Sequence, residues 1–369
     1  MSRQQHEHVA IFISSMEGGG AQRAMMNLTC ELAARGYCVD LILARSGGPY
    51  LADVPASVRV VELNCKRLLT SLFPLVRYLR SERPFAMLSC LDYVNIIALW
   101  ARRLAGVSTR LVVNEQNTLS RAAVGASKWR NRFTPFLARH FYPWADSIVA
   151  VSEDVRTDLL EVLKIAPQRV KVIYNSVVRR EIVVKSQAPI EHPWFQAKEL
   201  PVLVAVGRLY QQKDYPTLIR AFARLRKFCK ARLVILGEGA QREEIERMIV
   251  AFELVEDVQL LGFVENPFPY MSRASLFVLS SQWEGLPLVL IEALCCGVPV
   301  VATDCPSGPR EILHKPTFGR LVPVGDVEAL SKAMIEALSE KQVSPPEQSW
   351  QPFEISSITD HYVDLFLKR

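Results

Sequence analysis

Two glutamates frame an apolar segment in the second half of the chain. The segment Ser-Gln-Trp-Glu-Gly-Leu-Pro-Leu-Val-Leu-Ile-Glu places its acids at Glu284 and Glu292. Pro287 suits the first turn of a helix, so Gly285 and Leu286 would present free backbone N–H groups at a helix N-terminus, where a diphosphate can bind. Glu292, inside the apolar helix, needs a polar partner or ligand. An isolated pair at this spacing is more often structural, so other residues must decide its meaning.

Two cations follow a predicted strand that ends at Gly207. Arg208 and Lys213 lie five residues apart on the loop after this strand. Doubly wound sheets bind their ligands at the carboxyl ends of strands. Arginine can grip a phosphate with two N–H groups, and lysine adds a compact point charge. The loop therefore predicts a phosphate site, with a solvated basic loop as the alternative.

Strand and helix patterns alternate along the whole chain and position these residues. The first series begins with the apolar run at His8, followed by the glycine loop Gly18-Gly19-Gly20 and a helical pattern. The second begins at Val202, after a stretch with proline and weak periodicity. The alternation predicts an α/β fold with two doubly wound domains, over residues 1–180 and 201–354, joined by a linker at 181–200 and facing a central cleft.

Composition excludes several classes of protein. Eight scattered cysteines without a C-x-x-C pair argue against a disulfide framework and favour a cytoplasmic protein. The six histidines show no ligand spacing, so we expect no metal site. The polar N-terminus predicts no signal peptide, and no apolar run reaches the roughly 18 residues of a membrane span.

Positive charge is concentrated in the first half. Residues 1–180 hold 24 Lys and Arg against 14 Asp and Glu, whereas residues 181–369 hold 20 against 24. Two stretches, 66–83 and 121–139, combine cations with apolar side chains at helical spacing. The simplest interpretation of the first stretch is a helix whose apolar face packs against the core. The second carries Trp129, Phe133 and Phe136 with cations and no acid, which favours docking on an anionic membrane surface. No nucleic-acid recognition motif accompanies either stretch.

The order of several short motifs resembles one family. The chain resembles the retaining glycosyltransferases of family 4, also called group 1, which have the GT-B architecture. The resemblance covers nearly the whole chain and is strongest between 202 and 323. The motifs that carry it are Gly-Arg-Leu-x-x-x-Lys-Asp at 207–214, Leu-Gly-Glu-Gly at 236–239, Leu-Gly-Phe-Val at 261–264, Ser-Ser-Gln-Trp-Glu-Gly-Leu-Pro at 280–287 and Gly-Val-Pro-Val-Val-Ala-Thr at 297–303.

The resemblance implies roles for the donor side. Arg208 and Lys213 would bind the diphosphate of a nucleotide sugar, a UDP-sugar by expectation, and stabilise the leaving nucleoside diphosphate without a metal or other cofactor. Glu292 would bind the ribose and Glu284 the transferred sugar. Backbone groups would complete the site; they belong to Gly18, Gly19, Gly20, Phe263, Val264, Gly285, Leu286, Pro287, Leu288 and Val289.

The acceptor side is expected in the N-terminal domain. Asp92 and the run Glu115-Gln116-Asn117 each follow a predicted strand. Many family members carry a histidine near Gln116, and glutamine does not titrate. Family members are usually described by a mechanism in which the leaving phosphate takes the acceptor proton, so no protein base is required. The final helix, 355–367, would pack back onto this domain.

The resulting expectation is sugar transfer to a hydroxyl of a glycan or a polyprenyl-diphosphate-linked acceptor, in polysaccharide or lipopolysaccharide assembly. The protein would be peripheral at the inner face of the cytoplasmic membrane and would bind no nucleic acid. Two alternatives remain. One is a UDP-sugar epimerase of the same architecture, which would need an acid/base set. The other is a non-catalytic scaffold of a polysaccharide-assembly complex.

Overall fold

The computed structural model describes residues 8–17, 19–120, 133–178, 180–197, 199–341 and 343–367. Its contacts divide into two compact units. The N-terminal unit comprises Met1–Val177 together with Phe353–Arg369, and the C-terminal unit comprises Val178–Pro352. The final helix thus belongs to the N-terminal unit.

Each unit is built on one parallel sheet. The N-terminal sheet has seven strands in the order β3-β2-β1-β4-β5-β6-β7. Its strands are β1 (His8–Ile13), β2 (Cys38–Leu43), β3 (Val58–Glu62), β4 (Ala86–Cys90), β5 (Arg110–Glu115), β6 (Ser147–Ala150) and β7 (Val170–Val172). The C-terminal sheet has six strands in the order β10-β9-β8-β11-β12-β13. Its strands are β8 (Val202–Val206), β9 (Arg232–Leu236), β10 (Val258–Gly262), β11 (Leu276–Leu279), β12 (Val300–Thr303) and β13 (Arg320–Val322).

Helices connect the strands. The N-terminal unit contains α1 (Gly20–Ala34), α2 (Leu72–Glu82), α3 (Asp92–Ala105), α4 (Thr134–Phe141) and α5 (Glu153–Leu163). The C-terminal unit contains α6 (Arg180–Ser186), α7 (Pro193–Ala197), α8 (Tyr215–Leu225), α9 (Arg242–Ala251), α10 (Phe268–Arg273), α11 (Leu288–Cys295), α12 (Pro309–Ile312) and α13 (Val327–Ser339). The chain returns to the N-terminal unit with α14 (Ile355–Leu367). Short 3-10 turns lie at Pro49–Asp53, Leu68–Ser71, Tyr142–Trp144, Pro167–Arg169, Gln211–Lys213, Glu347–Ser349 and Gln351–Phe353.

Most strands are largely apolar because helices cover the faces of each parallel sheet. Every residue of β4 and of β11 is buried. Helix α8 shows the complementary pattern, because its buried residues Leu218, Phe222 and Leu225 recur at helical spacing and pack into the core of the C-terminal unit. This architecture confirms the predicted α/β fold with two doubly wound parallel sheets.

The structure differs from the sequence-based expectations at several boundaries. Strand β3, helix α12 and strand β13 were not predicted. Residues 181–200, expected as a linker, contain most of α6 and all of α7, which belong to the C-terminal unit. Helix α11 begins at Leu288 rather than Leu286, because Pro287 has the extended ψ of 91° and occupies the N-cap. Among the described residues, no helix is both long and apolar enough to span a membrane.

Candidate active site

The strand order of the C-terminal sheet reverses between β8 and β11, which pair in parallel at its centre. The connections that leave these two strands run to opposite sides, which opens a crevice at their carboxyl ends. The loop after β8 carries Arg208 and Lys213, and the loop after β11 carries Ser281 and Glu284. The fold therefore brings the two predicted donor loops together at the position where such sheets bind ligands.

An ion pair joins the two loops. Lys213 Nζ lies 2.6 Å from Glu284 Oε1, and the two side chains are 16% and 7% exposed. The Ser281 hydroxyl donates to the same Oε1 at 2.6 Å. The Gln212 amide contacts the other carboxylate oxygen, Oε2, at 3.4 Å. The Glu284 carboxylate is thus held by one charged and two neutral donors.

Further hydrogen bonds fix the loops against each other. Gln212 Nε2 donates to the carbonyl of Trp283 at 2.9 Å, and the backbone N–H of Gln282 donates to the carbonyl of Gln212 at 2.8 Å. The Ser280 hydroxyl donates to the carbonyl of Lys213 at 2.8 Å. The charged pair therefore sits on a frame of backbone and amide contacts.

Asp214 fixes the direction in which the chain leaves this site. Its backbone is left-handed, with φ 48° and ψ 49°, and its carboxylate caps α8 by accepting from the N–H of Thr217 at 3.3 Å and from its hydroxyl at 2.9 Å. Aspartate tolerates this conformation better than most residues and is also a favoured N-cap. Lys213 is therefore positioned on one side by the start of α8 and on the other by the hydrogen bonds between the loops after β8 and β11.

Arg208 is the exposed cation of the site. Its guanidinium lies 5.4 Å from the centre of the Tyr210 ring, and within the described ranges no ion pair ties it to a carboxylate. Cation–π contact with an exposed tyrosine leaves the N–H groups free to bind an oxyanion. Arg208 can therefore supply the bidentate phosphate contact that the sequence predicts.

Glycines let three neighbouring strand ends approach closely. A Cβ on Gly237 would lie 1.9 Å from the carbonyl oxygen of Gly207, and one on Gly239 would lie 2.4 Å from that of Leu209. Both distances exclude a side chain. The next strand, β10, ends at Gly262 and is followed by Phe263, whose side chain is 61% exposed. Phe263 and Val264 thus follow a strand at the same edge of the sheet as Arg208.

The second predicted acid lies inside α11. Glu292 is 2% exposed and is surrounded in sequence by the buried residues Leu290 and Ile291. At the start of this helix, the loop through Gly285, Leu286 and Pro287 packs against Gly308, where a Cβ would meet Pro287 Cδ at 2.4 Å. Leu288 and Val289 form the first turn. The predicted helix N-terminus is present, two residues later than expected.

The N-terminal unit places the other predicted residues around its own switch point, between β1 and β4. Gly18 lies outside the described residues. Gly19 is the N-cap of α1, with φ 134°, and Gly20 is its first residue. Asp92 follows the end of β4 closely, as expected, and is the first residue of α3, where its carboxylate accepts from the N–H of Tyr93 at 2.7 Å.

Glu115 is a buried acid at the end of β5. Its Oε2 accepts a hydrogen bond from the Tyr142 hydroxyl at 2.6 Å, and its Oε1 accepts from the N–H of Gln116 at 3.1 Å. Burial, and after it the nearby charge of Asp92, raise the pKa of this carboxyl to about 8. Glu115 therefore carries a proton at neutral pH, and burial also raises the pKa of Asp92.

Gln116 is engaged inside the unit. Its amide exchanges two hydrogen bonds with the amide of Asn175, at 3.0 and 2.7 Å, and donates to Asn114 Oδ1. Asn114 in turn donates to the Tyr362 hydroxyl of α14 at 2.7 Å. Gln116 is thus one member of a buried amide network. Asn117, the next residue, is partly exposed.

Sequence reasoning missed several residues of these arrangements. Gln212 and Ser281 hold Glu284, while Tyr142 and Asn175 hold Glu115 and Gln116. Ser281 lies three residues before Glu284, a spacing that could have suggested the contact. Nothing in the sequence marks Tyr142 or Asn175, since each pairs with a residue far away in the chain.

The two cationic stretches have different structures. In α2, Leu75, Val76 and Leu79 are buried, so this stripe faces the core, whereas Phe73 is exposed. Most of the second stretch, 121–132 with Trp129, lies outside the described residues. Its described end contains Phe133 and Phe136, which are 54% and 60% exposed.

Comparisons with known proteins identify the family of the chain. The family model for group 1 glycosyl transferases matches residues 188–350, and the model for glycosyltransferase family 4 matches residues 18–180. A relative from Campylobacter jejuni is 33% identical over 91% of this chain and 92% of its own, and is named N-acetylgalactosamine-N,N'-diacetylbacillosaminyl-diphospho-undecaprenol 4-alpha-N-acetylgalactosaminyltransferase. The amylovoran biosynthesis glycosyltransferase AmsD of Erwinia amylovora is 25% identical over 95% of this chain and 94% of its own.

Solved structures share the fold. HepE of Anabaena, in complex with UDP and glucose, superposes with a TM-score of 0.78 over 97% of this chain and 99% of its own, at 20% identity. Sucrose-phosphate synthase of Thermosynechococcus elongatus gives a TM-score of 0.82 over 98% of both chains, at 19% identity. The two parallel α/β sheets and these structural neighbours show that the chain has the GT-B fold. The chain belongs to the group 1, or family 4, glycosyltransferases.

Proposed function

We propose that the chain transfers a sugar from a UDP-sugar to a hydroxyl of a glycan or polyprenyl-diphosphate-linked acceptor, in the assembly of a cell-surface polysaccharide or glycolipid. The transfer retains the anomeric configuration and uses no metal. The observation that carries the proposal is the Lys213–Glu284 pair at the switch point, with Arg208 exposed on the same loop. The pair supports the proposal because cations that can bind a diphosphate lie beside a carboxylate that can accept a hydrogen bond from a sugar hydroxyl.

The donor half of the reaction follows from these charges. Arg208 and Lys213 neutralise the diphosphate as its bond to the sugar breaks, so the negative charge that develops on the leaving group meets preorganised cations. Glu292 accepts hydrogen bonds from the ribose, and Glu284 accepts one from the sugar. The N–H groups of 285–289 bind the sugar and the β-phosphate. Because two cations supply the positive field, the chemistry requires no Mg²⁺.

The choice of donor is supported by relatives. HepE binds UDP and UDP-glucose in its solved structures, and two Campylobacter jejuni relatives are named for transfer of N-acetylgalactosamine to acceptors on undecaprenyl diphosphate. We therefore take UDP-N-acetylgalactosamine as the first donor to test. On the acceptor side, the partly exposed side chains of Asp92 and Asn117 would bind an acceptor hydroxyl, while Glu115 and Gln116 are buried inside the unit.

A donor panel tests the function. Isothermal titration of UDP-glucose, UDP-galactose, UDP-N-acetylglucosamine and UDP-N-acetylgalactosamine should give binding to at least one. Arg208→Ala and Glu292→Ala should each weaken it, whereas Arg247→Ala, on the exposed face of α9, should not. Undiminished binding in both site variants would refute the site. Release of UDP only when an acceptor lipid is added would separate the transferase from an epimerase or a scaffold.

We further propose that the N-terminal unit docks on an anionic membrane surface. Its cationic stretches expose Leu69, Phe73, Phe133 and Phe136. Flotation with phosphatidylglycerol vesicles should recover the protein at low salt. Phe73→Ser with Phe136→Ser should reduce that recovery, while Phe228→Ser, equally exposed but in the C-terminal unit, should leave it unchanged. Absence of flotation at every salt concentration contradicts the docking.

A further inference from the structure

The Lys213–Glu284 pair joins two groups that the proposed function assigns to different parts of the donor. The ammonium is expected to bind the diphosphate, yet its Nζ lies 2.6 Å from a carboxylate oxygen. Both side chains are largely buried, so water screens the pair poorly. A carboxylate this close cancels much of the field that the ammonium would exert on a second anion. Binding of a diphosphate therefore competes with the pair.

Glu284 can lose this partner without becoming an isolated buried charge. The Ser281 hydroxyl donates to Oε1 at 2.6 Å, and the Gln212 amide lies 3.4 Å from Oε2. Gln212 is itself fixed by its 2.9 Å bond to the carbonyl of Trp283. A carboxylate needs such donors when it is removed from water. The two neutral groups can therefore hold the carboxylate after the ammonium has moved.

We propose that, when the donor binds, the Lys213 ammonium moves away from the Glu284 carboxylate and contacts the diphosphate instead. Ser281 and Gln212 are then positioning residues that keep the Glu284 carboxylate aimed at the sugar. This inference rests on the proposed function, because it takes a nucleotide sugar as the ligand. A sugar hydroxyl that donates to Glu284 replaces the lost ammonium contact. Free UDP breaks the pair and offers no such replacement.

The exchange has a consequence for turnover. After transfer the sugar is gone, so Glu284 again lacks its hydroxyl partner while UDP still occupies the cations. The return of Lys213 to Glu284 then favours release of UDP. The same residues thus discriminate between donor and product, although both carry the same diphosphate.

Titration calorimetry with UDP and UDP-N-acetylgalactosamine tests the exchange. Glu284→Gln should bind UDP about fivefold more tightly than wild type, equivalent to about 1 kcal/mol, because the amide no longer competes for Lys213. Ser281→Ala and Gln212→Ala should weaken binding of the sugar nucleotide by about five- to tenfold, as expected for the loss of one hydrogen bond to a charged group. Binding of UDP should weaken less, because UDP has no sugar hydroxyl that depends on the aim of the carboxylate.

Two controls accompany these variants. Ser281→Thr keeps the hydroxyl and should restore affinity for the sugar nucleotide, and Gln211→Ala changes the exposed neighbour of Gln212 and should have no effect on either ligand. The proposed exchange is wrong if Glu284→Gln binds UDP no more tightly than wild type. It is also wrong if Ser281→Ala and Gln212→Ala weaken the binding of UDP and of the sugar nucleotide equally. Failure of the wild type to bind UDP or any sugar nucleotide would instead refute the proposed function.

Discussion

Replacing Glu115 with glutamine should stabilise the N-terminal unit, increasingly so as pH rises. Burial first, and the charge of Asp92 second, raise the pKa of this carboxyl from 4.5 to about 8 in the folded chain. The unfolded chain releases the proton near its ordinary pKa. Between these two values the folded state binds more protons than the unfolded state, so the free energy of unfolding falls as pH increases.

The size of the effect follows from the same interval. At 1.36 kcal/mol for each pH unit, the penalty for keeping Glu115 buried reaches about 5 kcal/mol at pH 8. Glutamine has nearly the same shape and cannot ionise. It can also preserve the contact with the Tyr142 hydroxyl. Glu115→Gln should therefore match wild type near pH 4.5 and exceed it progressively up to pH 8.

Urea unfolding of wild type and variant at pH 5, 6, 7 and 8 measures this difference. Hydrogen exchange at β5 and α3 identifies the transition of the N-terminal unit. Glu161→Gln, on the exposed side of α5, is the matched control and should give a difference that does not change with pH. Two results would refute the reasoning, because both would show that the carboxylate is ionised when buried. One is a difference in free energy of unfolding between Glu115→Gln and wild type that does not change with pH. The other is a wild type whose stability increases relative to the variant as pH rises.

Three further perturbations test other parts of the fold. Gly237→Ala should abolish donor binding and lower the melting temperature sharply, because its Cβ would lie 1.9 Å from a carbonyl oxygen, whereas Gly36→Ala, at φ 88° with open space, should cost only about 1 kcal/mol in urea unfolding. Asp40→Ala should lower the free energy of unfolding in urea by about 3 kcal/mol, because the buried carboxylate accepts hydrogen bonds from the Tyr78 hydroxyl at 2.5 Å and from Arg59 at 2.8 Å. Tyr362→Phe should lower the thermal stability of the N-terminal unit by about 1 to 2 kcal/mol, because it removes the partner of Asn114 while keeping the ring.

The sequence predicts elements well where burial is uniform and poorly where it is not. Strands β4 and β11 are buried at every residue, so they appear in the sequence as apolar runs, interrupted only by Ser89 in β4. Edge strand β3 has only its first residue buried and alternates arginine, valine and glutamate, so no apolar run marks it. Helix α12 has four residues, too few to show a helical period. The two short helices between 181 and 200 were missed for the same reason.

The residues predicted for the donor side stand out in the sequence because the features that suggest them lie close together in the chain. The loop with the two cations directly follows a strand, glycines occupy the positions where two backbones are in close contact, and an acid lies a fixed number of residues into a helix. Each of these features places a residue type at a set spacing, as at Gly207, Arg208 and Lys213. The contact between Gln212 and Glu284 could not be found in this way, because it depends on which loops the strand order places side by side.

The residues predicted for the acceptor side make contacts that motif spacing in the sequence cannot predict. Gln116 is bound by Asn175 and Asn114, and Asn114 by Tyr362, so one amide network depends on segments separated by up to 248 residues. Amides at such separations carry no pattern, and any one of them alone would pass for a surface residue. A histidine in place of Gln116 could not reproduce the two-way bond with the Asn175 amide, since an imidazole presents its donor and its acceptor on opposite sides of a ring. Substitution of Gln116 alone, by histidine included, would therefore break its contacts with Asn175 and Asn114.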